Sequence, residues 1–165
     1  MGKWFIWGGA FIAFFFILMG NLFTASSEER FGFYGDEWGL KLPNAMAQEI
    51  VLGAQPHPED NRAKFNVLIY KDSEDFSKVT GLKIITEENL EDLQREILVF
   101  QTRAIHDIDY VKENELINLF EENSPDPQIG DSFYYKEDKK GNYFFAIIKE
   151  NESKVYTFEW SEVLE

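Results

Sequence analysis

Tyr143–Lys149, YFFAIIK, is the stretch whose reading decides how this chain folds. Phe145 and Ile147 alternate with Phe144, Ala146 and Ile148, so a strand here is apolar on both faces. Such a strand belongs inside a sheet, covered on both sides. Before it, Lys139–Asn142 (KKGN) reads as a turn, which makes Ser132–Lys136 its hairpin partner. After it, the turn Glu150–Ser153 leads into a third strand, Lys154–Trp160, with Tyr156, Phe158 and Trp160 on one face and Val155, Thr157 and Glu159 on the other. The C-terminus is therefore expected to be a three-stranded antiparallel meander.

Upstream, the period changes from two to three and four. Leu90, Leu93, Ile97, Phe100 and Ala104 form one stripe, and Thr86 before Glu87 and Glu88 supplies an N-cap with charges suited to a helix N-terminus. A second helix is expected over Lys112–Glu122, with Leu116, Leu119 and Phe120 inward, ended by Pro125 and Pro127. Lys64–Lys71 (KFNVLIYK) reads as a strand with Phe65, Val67 and Ile69 on one face. Gln55–Arg62 is a loop, and Pro43-Asn44 is expected to open a short helix through Met46, Ala47 and Ile50 that ends at Gly53. Phe31–Leu42 reads as a short strand or hairpin around Gly35-Asp36. Strands at both ends and helices between them predict an α+β domain. Its sheet is mostly antiparallel, with two or three helices on one face.

The N-terminus is of a different kind. Trp4–Phe23 carries no charge, and as a helix it covers roughly 30 Å, the hydrocarbon thickness of a bilayer. Trp4, Trp7, Phe11, Phe15, Leu18 and Phe23 are expected transmembrane residues, the tryptophans as interfacial anchors. The apolar run outlasts the h-region of a cleavable signal, about 7–15 residues. A retained signal-anchor is thus expected, with cleavage after Ser26 as the alternative. The basic groups near the two ends, Lys3 against Arg30 and Lys41, are balanced, and the short N-terminal tail favours export of the bulk of the chain. The expected organisation is a tail at 1–3, a transmembrane helix at 4–23, a tether at 24–30 and an extracytoplasmic domain at 31–165.

Composition narrows the partners. The chain has 30 acidic against 16 basic residues, a net charge of −14, and every acid lies beyond the apolar segment. Nucleic acid and anionic headgroups need basic surface, so the expected partners are the lipid bilayer through residues 4–23 and a protein. The dispersed acids read first as a solubilising surface, with a face for a basic protein as the alternative. There is no cysteine, which removes disulfides, thiolate metal sites and a lipid-modified cysteine anchor, and fits a bacterial extracytoplasmic domain.

Catalytic signatures are faint. His57, Glu59 and Asp60 form one histidine–carboxylate group and His106, Asp107 and Asp109 another. Together they would suit zinc or manganese, but neither has the spacing that sets two ligands on one helical face. The acidic stretches at 72–75 and 124–131 lack the ligand spacing of a calcium loop. No G-x-S-x-G elbow and no phosphate-binding glycine loop occurs, and no cofactor is expected. Asn151–Ser153 matches a glycosylation sequon within a tight turn. Aromatic residues are the remaining constellation: they supply core bulk, with Tyr156, Phe158 and Trp160 as the candidate partner-binding face. Two functions follow as expectations. One is a membrane-anchored, non-catalytic binding module of the immunity, inhibitory or accessory type. The other is a cell-envelope hydrolase working through dispersed carboxylates or a histidine–carboxylate metal site.

Overall fold

The computed structural model describes residues 38–53, 62–72, 74–108 and 111–162, and the chain divides into two units, Met1–Asn44 and Ala45–Glu165. The expected transmembrane helix and tether lie outside the described residues. No helix among those described is long and apolar enough to cross a membrane. Of the strand or hairpin expected over Phe31–Leu42, residues 31–37 are likewise outside, and residues 39–42 form no strand. Within this first unit Trp38 and Leu40 are buried. Among the described residues the sheet begins after Asn44.

The second unit is an α+β domain. Its strands are β1 (Ala47–Leu52), β2 (Ala63–Ile69), β3 (Lys83–Ile84), β4 (Ser132–Glu137), β5 (Tyr143–Lys149) and β6 (Lys154–Trp160). They form one sheet in the order β1-β2-β6-β5-β4-β3, antiparallel at every pairing. The helices α1 (Leu90–Asp107) and α2 (Glu113–Asn123) pack against one face. The C-terminal meander forms as its alternation predicts, and every residue of β5 is buried. Its first turn is held by Asp138, whose carboxylate accepts from the backbone N–H of Lys140 at 2.7 Å and of Asn142 at 3.0 Å. The second turn closes through Ser153, which takes a left-handed φ of 53° and donates its hydroxyl to Asp72.

Register assembles the core. Phe65, Phe158 and Phe145 are direct cross-strand partners on β2, β6 and β5, and their rings stack at 4.4 Å on either side of Phe158. Cross-strand aromatic pairs of this kind are the unit of sheet stabilisation. From above, Phe100 of α1 meets Phe158 edge-on at 5.2 Å, and Phe120 of α2 lies 6.3 Å from Phe65. Leu93, Ile97, Ala104 and Leu116 complete the contact, the stripe that the helical period marks out.

The opposite face is also apolar at its centre: Leu68, Phe144, Ala146, Ile148 and Val155 are all fully buried. Since β6, β5 and β4 stand between β2 and β3, the connection between those two strands has to cross the sheet. It crosses on this second face. Phe76 packs edge-on against Tyr70 at 4.9 Å, and Gly81, at φ +86°, lies so close to the Tyr134 ring that a Cβ would come within 3.0 Å of it.

Two expectations are corrected. Residues 47–52 form a strand and not a helix: pairing with β2 supplies the backbone hydrogen bonds, and Ile50, Val51 and Leu52 suit a pleated edge. Gly53 ends that strand at φ +101°, where a Cβ would stand 2.8 Å from the Ala63 carbonyl oxygen. The long helix begins at Leu90, with Asn89 at its N-cap position and no Thr86 cap; Thr86 instead accepts from the backbone N–H of Leu90 at 3.0 Å, and its own N–H donates to Asn89 Oδ1. A local turn over residues 87–89 has taken the first helical turn, as Asn side chains favour.

Candidate binding surface

The aromatic face singled out in the sequence lies inside. Tyr156, Phe158 and Trp160 are 7%, 0% and 1% exposed, roofed by α1 and α2, so they serve as core and not as a docking face. Arg103 caps this end of the core, with its guanidinium 5.7 Å from the ring centres of both Tyr143 and Trp160. Burial, above all, pushes the hydroxyls of Tyr143 and Tyr156 from 10.0 up to about 12. A raised folded-state value means that the folded state holds its protons longer than the unfolded one. The associated stability is therefore complete below pH 10 and is lost as pH climbs towards 12. An alkaline titration followed by circular dichroism and tyrosinate absorbance is expected to show unfolding in that window. Ionisation of every tyrosine near 10 in a still-folded protein would show that these rings are open to water.

His106 is exposed in the last turn of α1 and Asp107 is half-buried beside it. His57, Glu59, Asp60 and Asp109 lie outside the described residues. Among the described residues no group of three or more metal-ligating side chains comes together.

Two buried ionic arrangements have evident structural work. Lys149, 5% exposed at the end of β5, donates to the Asp126 carbonyl at 2.6 Å and pairs with Glu152 at 2.8 Å and Asp131 at 3.9 Å. It thereby ties the α2–β4 connection to the sheet. On the second face Lys64 of β2 meets its register partner Glu159 of β6 at 2.7 Å, beside Asn66, which accepts from Gln48 Nε2, and Thr157. A one-residue slip would turn these groups into the aromatic core, so they specify the register. Glu159 Oε2 and Thr157 Oγ1 have no hydrogen-bond partner among the described residues.

Apolar side chains do reach the surface elsewhere. Ile84 on the edge strand β3 is 56% exposed and Ile129 in the α2–β4 connection is 58% exposed. They line one hollow of about 520 Å³ together with Ile85, Gly130, Glu87 and Glu88. On the other side of Ile84 and Gly130 a second hollow of about 400 Å³ is bordered by Asp131, Ile148, Glu150 and Asn151. Backbone hydrogen bonds brace this surface. Gly130, at φ +98°, donates its N–H to the Ile85 carbonyl at 2.9 Å, and the Ile85 N–H donates to the Asp131 carbonyl at 2.8 Å. Asp131 in turn accepts from the Gln128 N–H at 2.9 Å. Glu87, Glu88 and Glu150 are exposed and enter no ion pair among the described residues.

Sequence reasoning passed over Ile84 and Ile129, since they lie 45 residues apart and only the pairing of β3 with β4 brings their segments together. The available signal was Ile129-Gly130-Asp131 itself, a large aliphatic residue beside a turn glycine. No family model matches this chain, and no curated protein and no solved structure matches it either.

Proposed function

We propose that this protein is a non-catalytic, protein-binding module of the immunity, inhibitory or accessory type. In this reading it is held at a cell membrane by residues 4–23, with its domain outside the cytoplasm. The carrying observation is the exposed pair Ile84 and Ile129, set among carboxylates and braced by backbone hydrogen bonds. Exposed apolar residues rimmed by polar ones are what a protein interface requires, and a net charge of −14 selects a basic partner.

The test is capture of the tagged full chain from the membrane fraction of its native cell, in detergent. A protein retained in stoichiometric amount and released as salt rises to about 0.5 M is the expected result. Recovery of the chain only in the soluble fraction overturns the tether. Turnover of an envelope substrate by the purified chain, lost on His106→Ala, overturns the binding reading in favour of the hydrolase.

A further inference from the structure

We infer that the β3 edge takes a partner segment bearing one aliphatic side chain flanked by lysine or arginine. This deepens the protein-binding reading and rests on it. The aliphatic group fits over Ile84 and Ile129, where two half-exposed isoleucines offer the apolar contact. The flanking cations fit the carboxylates on either side: Glu87 and Glu88 border one hollow and Glu150 the other. Glu91, exposed in the first turn of α1, extends the negative field beyond them, while Asp92 is paired with Arg95. Asp131 contributes less, because Lys149 already stands 3.9 Å from it.

Side chains and not strand addition make the contact. The Ile84 carbonyl already accepts from Asn89 Nδ2 at 3.1 Å, and β3 is only two residues long. A short, capped edge is a poor template for another strand. A second copy of this chain is disfavoured as occupant, since its net charge has the same sign.

The probe is a heptapeptide with a central leucine between paired lysines, titrated into the isotope-labelled full chain in detergent and read by amide chemical shifts. Shifts at Ile84, Thr86, Ile129 and Gly130 are expected, and they should require both the leucine and the lysines. Ile84→Ser with Ile129→Ser, at positions too exposed to matter for folding, is expected to weaken binding roughly tenfold. Glu87→Gln with Glu88→Gln is expected to flatten the salt dependence. Shifts that follow lysine content alone, or a double-serine variant that binds the peptide unchanged, overturn the inference. Self-association of the wild-type chain that the double-serine change abolishes also overturns it, by making a second copy the occupant. A captured native partner that still binds the double-serine variant sinks this surface while leaving the protein-binding reading standing. Peptide binding as described, together with turnover of an envelope substrate by the same chain, keeps this surface while overturning the non-catalytic reading.

Discussion

Replacing Ile147 with aspartate is expected to unfold the domain. Ile147 sits mid-strand in β5, fully buried on the helix-covered face, with Phe133 of β4 and Tyr156 of β6 directly across from it. A carboxylate there would be buried among apolar side chains, and Lys149, the cation on the same strand, is already engaged by Asp126, Glu152 and Asp131. The cost is roughly 5 kcal/mol, comparable with the whole stability of a small domain. The conservative change Ile147→Val removes one methylene and is expected to cost about 1 kcal/mol. Thermal melts followed by circular dichroism separate the two cases. A cooperative melt for Ile147→Asp close to that of the wild type would mean that β5 is open on this face, and the sheet order would have to be redrawn.

Removal of the Phe158 ring comes second in size. That ring is stacked at 4.4 Å on both Phe65 and Phe145 and is struck edge-on by Phe100, so its loss strips contacts from three elements at once. Phe158→Ala is expected to destabilise by about 4 kcal/mol, the transfer loss of the side chain plus the cavity left between two rings that the backbone ladder holds apart. Phe158→Leu keeps most of the volume and is expected to cost about 1.5 kcal/mol. Chemical denaturation reads both, with an unchanged slope on denaturant as the mark of an intact native state. A Phe158→Leu cost near zero beside the full Phe158→Ala loss would show that the aromatic stack contributes nothing beyond bulk.

Legibility of the fold followed the strength of local pattern. Lys154–Trp160 and Tyr143–Lys149 were readable to the residue because alternation, turn chemistry and β-branching agree there. The α1 stripe was readable for the same reason, although its start moved to Leu90 when Asn89 closed a turn on Thr86. Residues 47–52 were misread as helical because Met46, Ala47 and Ile50 carry a weak three-and-four spacing. In the fold Met46 and Ile50 are exposed, and it is Leu52 that is buried, which no local rule announces.

The candidate site was legible only in its charge. Dispersed acids show in the sequence as a net negative charge, but not as a place. Tyr156, Phe158 and Trp160 looked like interface anchors because their residue types favour interfaces, and whether a strand face is roofed depends on where a helix distant in sequence comes to rest. Ile84 and Ile129 looked unremarkable for the complementary reason. Their proximity arises from β3 joining β4 at the sheet edge, after a connection that crosses the whole second face.

The sequence by itself determined the α+β class, the C-terminal meander, the two-sided burial of Tyr143–Lys149 and the helical stripe from Leu90 to Ala104. These are consequences of period, turn residues and apolar content, all of which act between near neighbours. Only the tertiary structure decided the strand order, the role of residues 47–52 and which apolar side chains stay outside. Those depend on pairings such as Ala63 with Trp160, between residues that local forces cannot bring together. The burial of two apolar sheet faces makes those pairings favourable, and that burial is a property of the whole domain.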